Sequence, residues 1–239
     1  GIYIVSSYNN SLSDIVVNQT TATGLFFYSS TNNTLIRTRV YGSTDDALYL
    51  NFKSSNNTFV DLDIYAAGET ANDGLILIDS GSFGNEFNNL LINSTAGTGY
   101  GIKISSGEGN KFINLTINGT DKGLLFSSTN NSLIDGGSIS DALTYGVELT
   151  GTSANNTIRN FEIYNSVNYS IYDVSSSSNN LTFNNSMGSI MWGLTNLTSA
   201  MNLTINGTVL LQQNLTGLFS SENAQQLNGT ATIELKGLN

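Results

Sequence analysis

Two short segments carry the carboxylates that could do chemistry: STDDALYL over residues 43–50 and NDGLIL over residues 72–77. Each places aspartate just ahead of an apolar alternation, so Asp45, Asp46 and Asp73 would share one loop position in neighbouring strands. A carboxyl pair can act as general acid and base in glycoside hydrolysis, and the same oxygens suit Ca²⁺. Arg37, Arg39 and Lys53 are the basic side chains near this acidic loop, and a lyase would need one of them to remove a proton beside a uronate carboxyl. Ordinary turn chemistry, in which Asp precedes Gly or Ala, accounts equally for the aspartates, and a solvated strand face accounts for the bases. The chain has no histidine and no cysteine, which excludes an imidazole or thiolate metal site. No residue is assigned a catalytic role on this basis, and no cofactor is expected beyond that Ca²⁺ and covalent N-glycans.

A second chemistry is covalent modification. Seventeen N-x-[ST] acceptor sites occur in 239 residues, at Asn9, Asn18, Asn32, Asn56, Asn93, Asn114, Asn118, Asn130, Asn155, Asn168, Asn180, Asn184, Asn196, Asn202, Asn206, Asn214 and Asn228. A chain rich in Asn, Ser and Thr also generates such triplets by accident. Geometry decides between the two: if Asn33, Asn57, Asn131 and Asn156 point inward, then Asn32, Asn56, Asn130 and Asn155 beside them point to solvent.

The elements that must position these residues repeat. A small residue opens each unit at Gly1, Gly24, Ala47, Gly74, Gly101, Gly123, Gly146 and Ser170, spaced by 22 to 27 residues, and a period in the twenties signals a solenoid. Ile2, Leu25, Leu48, Leu75, Ile102, Leu124, Val147 and Ile171 follow, and two residues on come Ile4, Phe27, Leu50, Leu77, Ile104, Phe126 and Leu149. Period-2 spacing predicts strands with these columns facing inward. A second apolar set steps by three and then two, as in Phe59, Leu62, Ile64 and in Phe112, Leu115, Ile117. The step of three predicts a bend between two short strands. Gly136 and Ser138 interrupt this set in the sixth unit, and Asp173 enters a core column in the eighth. Tyr3, Tyr49, Tyr65, Tyr164 and Tyr172 alternate with core positions and face outward, where they could stack on sugars or on each other.

One asparagine recurs per unit: Asn10, Asn33, Asn57, Asn85, Asn110, Asn131, Asn156 and Asn180. Identical amides stacked at the inter-strand spacing of about 4.8 Å can bond to each other and to turn backbone, so the column reads as an internal ladder. A coil of this kind cannot bury its apolar face alone, and stacking closes the core. Connections this short, without an amphipathic helix, predict an all-β parallel β-helix of about eight coils rather than a βαβ fold.

The G-[ILV]-x-[ILF] openings and NN-[ST]-[LFI] turns across residues 1–187 resemble the right-handed parallel β-helix repeats of the pectin-lyase-like superfamily, and most of all the short repeats of NosD-type and archaeal cell-surface proteins. The resemblance implies the fold; the superfamily spans lyases, hydrolases, epimerases, adhesins and structural stacks, so it implies no one activity. The paired aspartates resemble those of polygalacturonase-type hydrolases, but the Gly-His-Gly and Arg-x-Lys segments of that family are missing.

Residues 188–239 lose the period and read as short strands, expected as a C-terminal β cap, the start of a small β domain or a docking segment. The net charge of −10 argues against nucleic acid or anionic lipid as partner. No run is long and apolar enough for a membrane helix. Gly1 falls on a repeat boundary, as either a processed end or a piece of a longer protein would. The first coil, GIYIVSS, carries no polar cap, and an open edge attracts another chain. The expectation is an extracellular, N-glycosylated structural protein, a building block of an archaeal surface layer, sheath or filament that associates head to tail. A carbohydrate-binding module of a larger surface protein is the alternative, and a polysaccharide-cleaving enzyme comes third.

Overall fold

The computed structural model describes residues 1–66, 74–79, 81–94, 99–185, 188–193, 197–198, 209–212, 215–218 and 231–235. The described part is all β, in two long sheets and one hairpin. In the first sheet, Ile2–Val5, Leu25–Tyr28, Leu48–Asn51, Gly74–Ile78, Tyr100–Ser105, Lys122–Ser127, Tyr145–Thr150 and Tyr169–Asp173 stack in parallel, one strand per coil. In the second, Ser11–Ser13 and Val16–Asn18 pair with Thr34–Tyr41, followed in parallel by Thr58–Ala66, Glu86–Ser94, Lys111–Asn118, Leu133–Ser140, Thr157–Tyr164 and Asn180–Asn185. Eight parallel rungs make about seven turns of a β-solenoid. The expected parallel β-helix is therefore the fold.

Register shows why the sequence chooses it. Leu25 pairs with Leu48 and Phe27 with Leu50, so like faces like in successive rungs, and these columns are fully buried. Phe59, Phe87 and Phe112 stack with ring centroids 4.7 and 4.9 Å apart and planes within 9°, which is the rung spacing itself. Burying one such ring contributes roughly 1.5–3 kcal/mol, and each rung adds several. The hydrophobic step of three is made by one residue in the left-handed backbone region: Asp14, Arg37, Asp61, Asn89, Asn114, Gly136 and Asn160 have φ between 52° and 77°. One residue there turns the strand, so the core positions on either side of it lie three apart instead of two. Asn and Asp tolerate this conformation better than other non-glycine residues, which accounts for most of the column.

Two coils sit one residue out of the expected phase. In the fourth, Ile76 and Ile78, not Leu75 and Leu77, pair with Leu48 and Leu50. Residues 75–78 are all apolar, so alternation could not set the phase; Leu75 takes the small-residue position, where its carbonyl accepts the Ala47 N–H at 2.8 Å. In the sixth coil, Ile134, Gly137 and Ile139 align with Phe112, Leu115 and Ile117, and Leu133 is only half-buried. The coil is thus intact except that Gly137 replaces the middle apolar residue. It has φ 108°, and a Cβ there would lie 2.0 Å from the Leu115 carbonyl oxygen.

Asp173 does stand opposite core Leu149. It is half-buried, and its carboxylate accepts the N–H of Ser175. Beyond it the strand direction reverses. Gly188–Gly193 lies antiparallel on Asn180–Asn185, Ala231–Leu235 lies antiparallel on Gly188–Gly193, and Leu197–Thr198 lies antiparallel on Tyr169–Asp173. Trp192 is buried and packs on the end of the core. Val209–Gln212 and Leu215–Leu218 form the separate hairpin. The long expected loops at 65–73 and 93–100 fall largely outside the described residues.

Candidate functional site

The corner following each first-sheet strand holds the recurrent amides. Asn33, Asn57, Asn85, Asn110, Asn156 and Asn179 are buried, at most 2% exposed. Within the ladder each Oδ1 takes two hydrogens from the preceding rung: Asn33 donates its backbone N–H and its Nδ2–H to Asn57 Oδ1 at 3.0 Å each, and Asn57 does the same to Asn85 at 3.0 and 3.1 Å. The remaining Nδ2 hydrogen goes to a carbonyl one rung back, from Asn57 to Ser30 and from Asn85 to Ser54, both at 3.0 Å. Every polar atom of an interior amide is satisfied, as burial demands. The ladder is directional, with donors pointing toward the C-terminal rungs.

Two expected members are corrected. Asn131 is exposed with φ 54°; Ser132 stands in the ladder instead, its Oγ accepting the Asn110 N–H at 3.2 Å while its own N–H reaches Asn156 Oδ1 at 3.0 Å. The Asn-Asn-Ser run offers three polar residues in a row, and the left-handed corner takes the one that tolerates it. In the eighth coil Asn179, not Asn180, accepts the N–H and Nδ2–H of Asn156, at 3.0 and 2.9 Å. Asn10, in the first coil, is exposed and donates both its hydrogens to Asn33.

A second internal column escaped the sequence reading. Ser30, Ser54, Ser82, Thr129 and Ser153 are fully buried three residues before the ladder position, and their hydroxyls accept backbone N–H groups of the preceding rung, as Ser54 Oγ does from Ser30 at 3.3 Å and Ser153 Oγ from Thr129 at 3.0 Å. An [ST]-x-x-[NS] spacing was its available signal.

Next to the ladder, on the outside, Asn9, Asn32, Asn56, Gly84, Gly109, Asn131 and Asn155 form a column with φ between 54° and 64°. Asn9, Asn32, Asn56 and Asn155 in it are exposed acceptor sites. Asn130 departs from the expected outward position: it is half-buried one column over, and its Oδ1 accepts the Ala154 N–H at 3.0 Å. Asn18, Asn114 and Asn168 are exposed, and Asn93, Asn118 and Asn180 are half-buried. The Asn114 amide donates to Asn89 at 3.2 Å, and Asn118 accepts from Ser140 at 3.2 Å. The side chains of Asn184, Asn196, Asn202, Asn206, Asn214 and Asn228 lie outside the described residues.

The aspartates do not share one setting. Asp45 is exposed and accepts from Thr23 Oγ1 at 3.4 Å, Asp46 is buried at 4% exposure, and Asp73 lies outside the described residues. Among the described residues no three His, Cys, Asp or Glu side chains gather as they would around a metal ion. Arg37 pairs with Asp14 through two bonds of 2.7 and 2.8 Å, and Arg39 with Asp63 at 3.3 Å. They line a shallow groove of about 230 Å³ on the outer face of the second sheet. The Arg37 hydrogen bond holds the Asp14 carboxyl below its ordinary pKa. Lys53 is exposed, with φ 61°.

Outward tyrosines mostly pack across strands: Tyr49 against Phe26 at 5.4 Å, Tyr65 on Tyr41 at 5.2 Å and 10°, Tyr172 on Tyr145 at 4.8 Å. Tyr164 donates to Glu162, and that bond pushes its pKa up to about 12. Tyr3 keeps 59% of its surface, and with Tyr28 and Phe52, stacked at 5.1 Å and 7°, it leaves an aromatic patch in water at the first three rungs. A further cluster depends on register and was invisible in sequence: Lys122 Nζ donates to Tyr100 at 2.9 Å, Tyr100 to Glu148 at 3.2 Å, and Lys122 also lies over the Tyr145 ring. Burial opposes the Lys122 charge, but Tyr100 and Glu148 raise its pKa overall.

In comparison with known proteins, the profile of a family described as right handed beta helix region matches residues 64–210. No curated protein matches the chain.

Proposed function

Because the chain belongs to the right-handed β-helix family, a fold that hosts many activities and dictates none, we propose its function from its surface: it is an extracellular, N-glycosylated structural rod, a building block of a cell-surface layer, sheath or filament. Within the family we place it with the NosD-type and archaeal cell-surface repeats, on its NN-[ST]-[LFI] turns. The observation that carries the reading is the exposed corner. Asn32, Asn56 and Asn155 turn to solvent immediately beside Asn33, Asn57 and Asn156, whose amides are consumed inside. A buried ladder needs one asparagine per rung; the exposed one beside it, in an acceptor triplet, serves no packing purpose. Glycans there would cover a surface with few charges, which otherwise has little to oppose sideways association.

Intact mass of native material tests this: the reading requires a species heavier than the bare 25.5 kDa chain by whole glycans, and the bare mass refutes it. A second reading, a carbohydrate-binding module, draws on the Tyr3, Tyr28 and Phe52 patch, since exposed rings stack on sugar faces. Retardation by neutral polysaccharide in affinity electrophoresis, lost in Phe52→Ala, supports it; mobility unchanged by any polysaccharide removes it.

A further inference from the structure

The two ends of the solenoid complement each other. At the N-terminal end Ile2, Leu12 and Ile15 are only half-buried, although their counterparts inside the stack are sealed, and an opening of about 370 Å³ lies between Ile2, Ile4, Asn10 and Leu12. Asn10 gives its hydrogens to Asn33, but the ladder's direction leaves its Oδ1 turned to the open side, where interior rungs receive two donors. The strand edge is open as well. Arg39 N–H bonds to the Ile15 carbonyl while Arg39 stands opposite Val16, and in a parallel ladder this turns the Val16 N–H and C=O outward.

At the other end, two reversals restore direction. Gly188–Gly193 runs against Asn180–Asn185, and Ala231–Leu235 runs against Gly188–Gly193, so the last strand of the second sheet points the same way as Ser11–Ser13 and Val16–Asn18. Among the described residues it has no partner strand on its outer side. Its register continues the inner face: Ala231 stands opposite Trp192 and Ile233 opposite Ile190, both buried, yet Ile233 is 53% exposed. The inward column of the second sheet is therefore apolar and uncovered at both ends.

We propose that the Ala231–Leu235 edge of one copy of this chain adds in parallel to the Ser11–Ser13 and Val16–Asn18 edge of a second copy, bringing Ile233 over Leu12 and continuing the core column across the junction. This rests on the reading of the chain as an assembling surface rod but not on its glycosylation. The interface is heterologous, and a heterologous contact that does not close on itself generates a filament. A symmetric contact between two N-terminal ends is disfavoured, because it would run the edge strands antiparallel and set one Asn10 Oδ1 against another.

The test is sedimentation velocity on unglycosylated recombinant full chain, with two edge-blocked variants. Wild type gives a concentration-dependent series of oligomers. Leu12→Lys places a charge inside the open end, a device that blocks edge addition, and Ile233→Lys does so at the other end; each alone is monomeric, and an equimolar mixture gives dimers and nothing longer. Val16→Pro, which removes only an outward N–H, substitutes for Leu12→Lys should circular dichroism show that variant unfolded. Wild type that stays monomeric at about 1 mM, or either variant alone still dimerising, overturns the proposal. Glycans found on native protein whose recombinant form stays monomeric would sink this interface and leave the surface-protein reading standing.

Discussion

Removing one interior amide is the sharpest perturbation of the fold. Asn57 accepts the Asn33 N–H and Nδ2–H at 3.0 Å each and donates to Ser30 O and Asn85 Oδ1 at 3.0 and 3.1 Å. In Asn57→Ala, Ser30 O keeps the Ser55 N–H and Asn85 Oδ1 keeps the backbone N–H of residue 57. The Asn33 N–H and one Asn33 Nδ2 hydrogen are left with nothing, at a site closed to water. Each orphaned buried group costs about 1–3 kcal/mol, so the substitution should cost about 4 kcal/mol. At about 2–4 °C per kcal/mol for a chain of this size, the melting temperature falls by about 10 °C. Asn57→Ser should recover about half, because a hydroxyl can take one donor as Ser132 does from Asn110. Asn10→Ala, at the exposed end, orphans no buried donor and should cost less than about 1 kcal/mol. Thermal unfolding followed by circular dichroism ranks the three. If Asn57→Ala and Asn10→Ala destabilise equally, the amides are turn formers and not a ladder.

Gly137→Ala should cost at least about 3 kcal/mol, because its φ of 108° and the Leu115 carbonyl oxygen together exclude a side chain; urea unfolding checks this, and a neutral effect contradicts the sixth-coil register. Asn32→Ala should be less stable than Asn32→Gly by about 1 kcal/mol, since the corner is left-handed at φ 57°. Burial works to raise the Asp135 pKa, but Arg159 and Asn160 bring it below its ordinary 3.8. Its contribution is therefore complete above pH 3.8 and is lost as pH falls through the lower folded value; Asp135→Asn should flatten that part of an acid titration of stability. Tyr164 behaves oppositely. Its folded pKa of about 12 lies above the ordinary 10.0, so stability should decline as pH rises between those values, and Tyr164→Phe should abolish the slope.

What the sequence made legible depended on repetition. Columns in which one residue type recurs, such as Phe59, Phe87 and Phe112 or Asn33, Asn57 and Asn85, could be aligned by eye, and the fold follows from them. Phase failed where composition became uniform: four apolar residues at 75–78 and the Asn-Asn-Ser run at 130–132 allow two alignments each, and only pairing with neighbouring rungs chooses. The left-handed corners were half visible. Asp14, Asn89 and Asn114 are types that tolerate the conformation, but Arg37 and Phe52, at φ 52° and 46°, follow the corner because their neighbours above and below impose it. The Tyr100, Lys122 and Glu148 cluster spans three rungs and 48 residues, and no local pattern announces it. The aspartates show the converse: Asp45 and Asp46 are conspicuous together in sequence, yet one faces water and the other is buried.

Site-resolved peptide mass spectrometry of the native protein measures the central claim directly, that the exposed asparagine of each corner is present to carry sugar. The account predicts glycans on Asn32, Asn56 and Asn155 and a bare Asn130, whose Oδ1 is already held by the Ala154 N–H. Unmodified peptides across all three corner sites would contradict it.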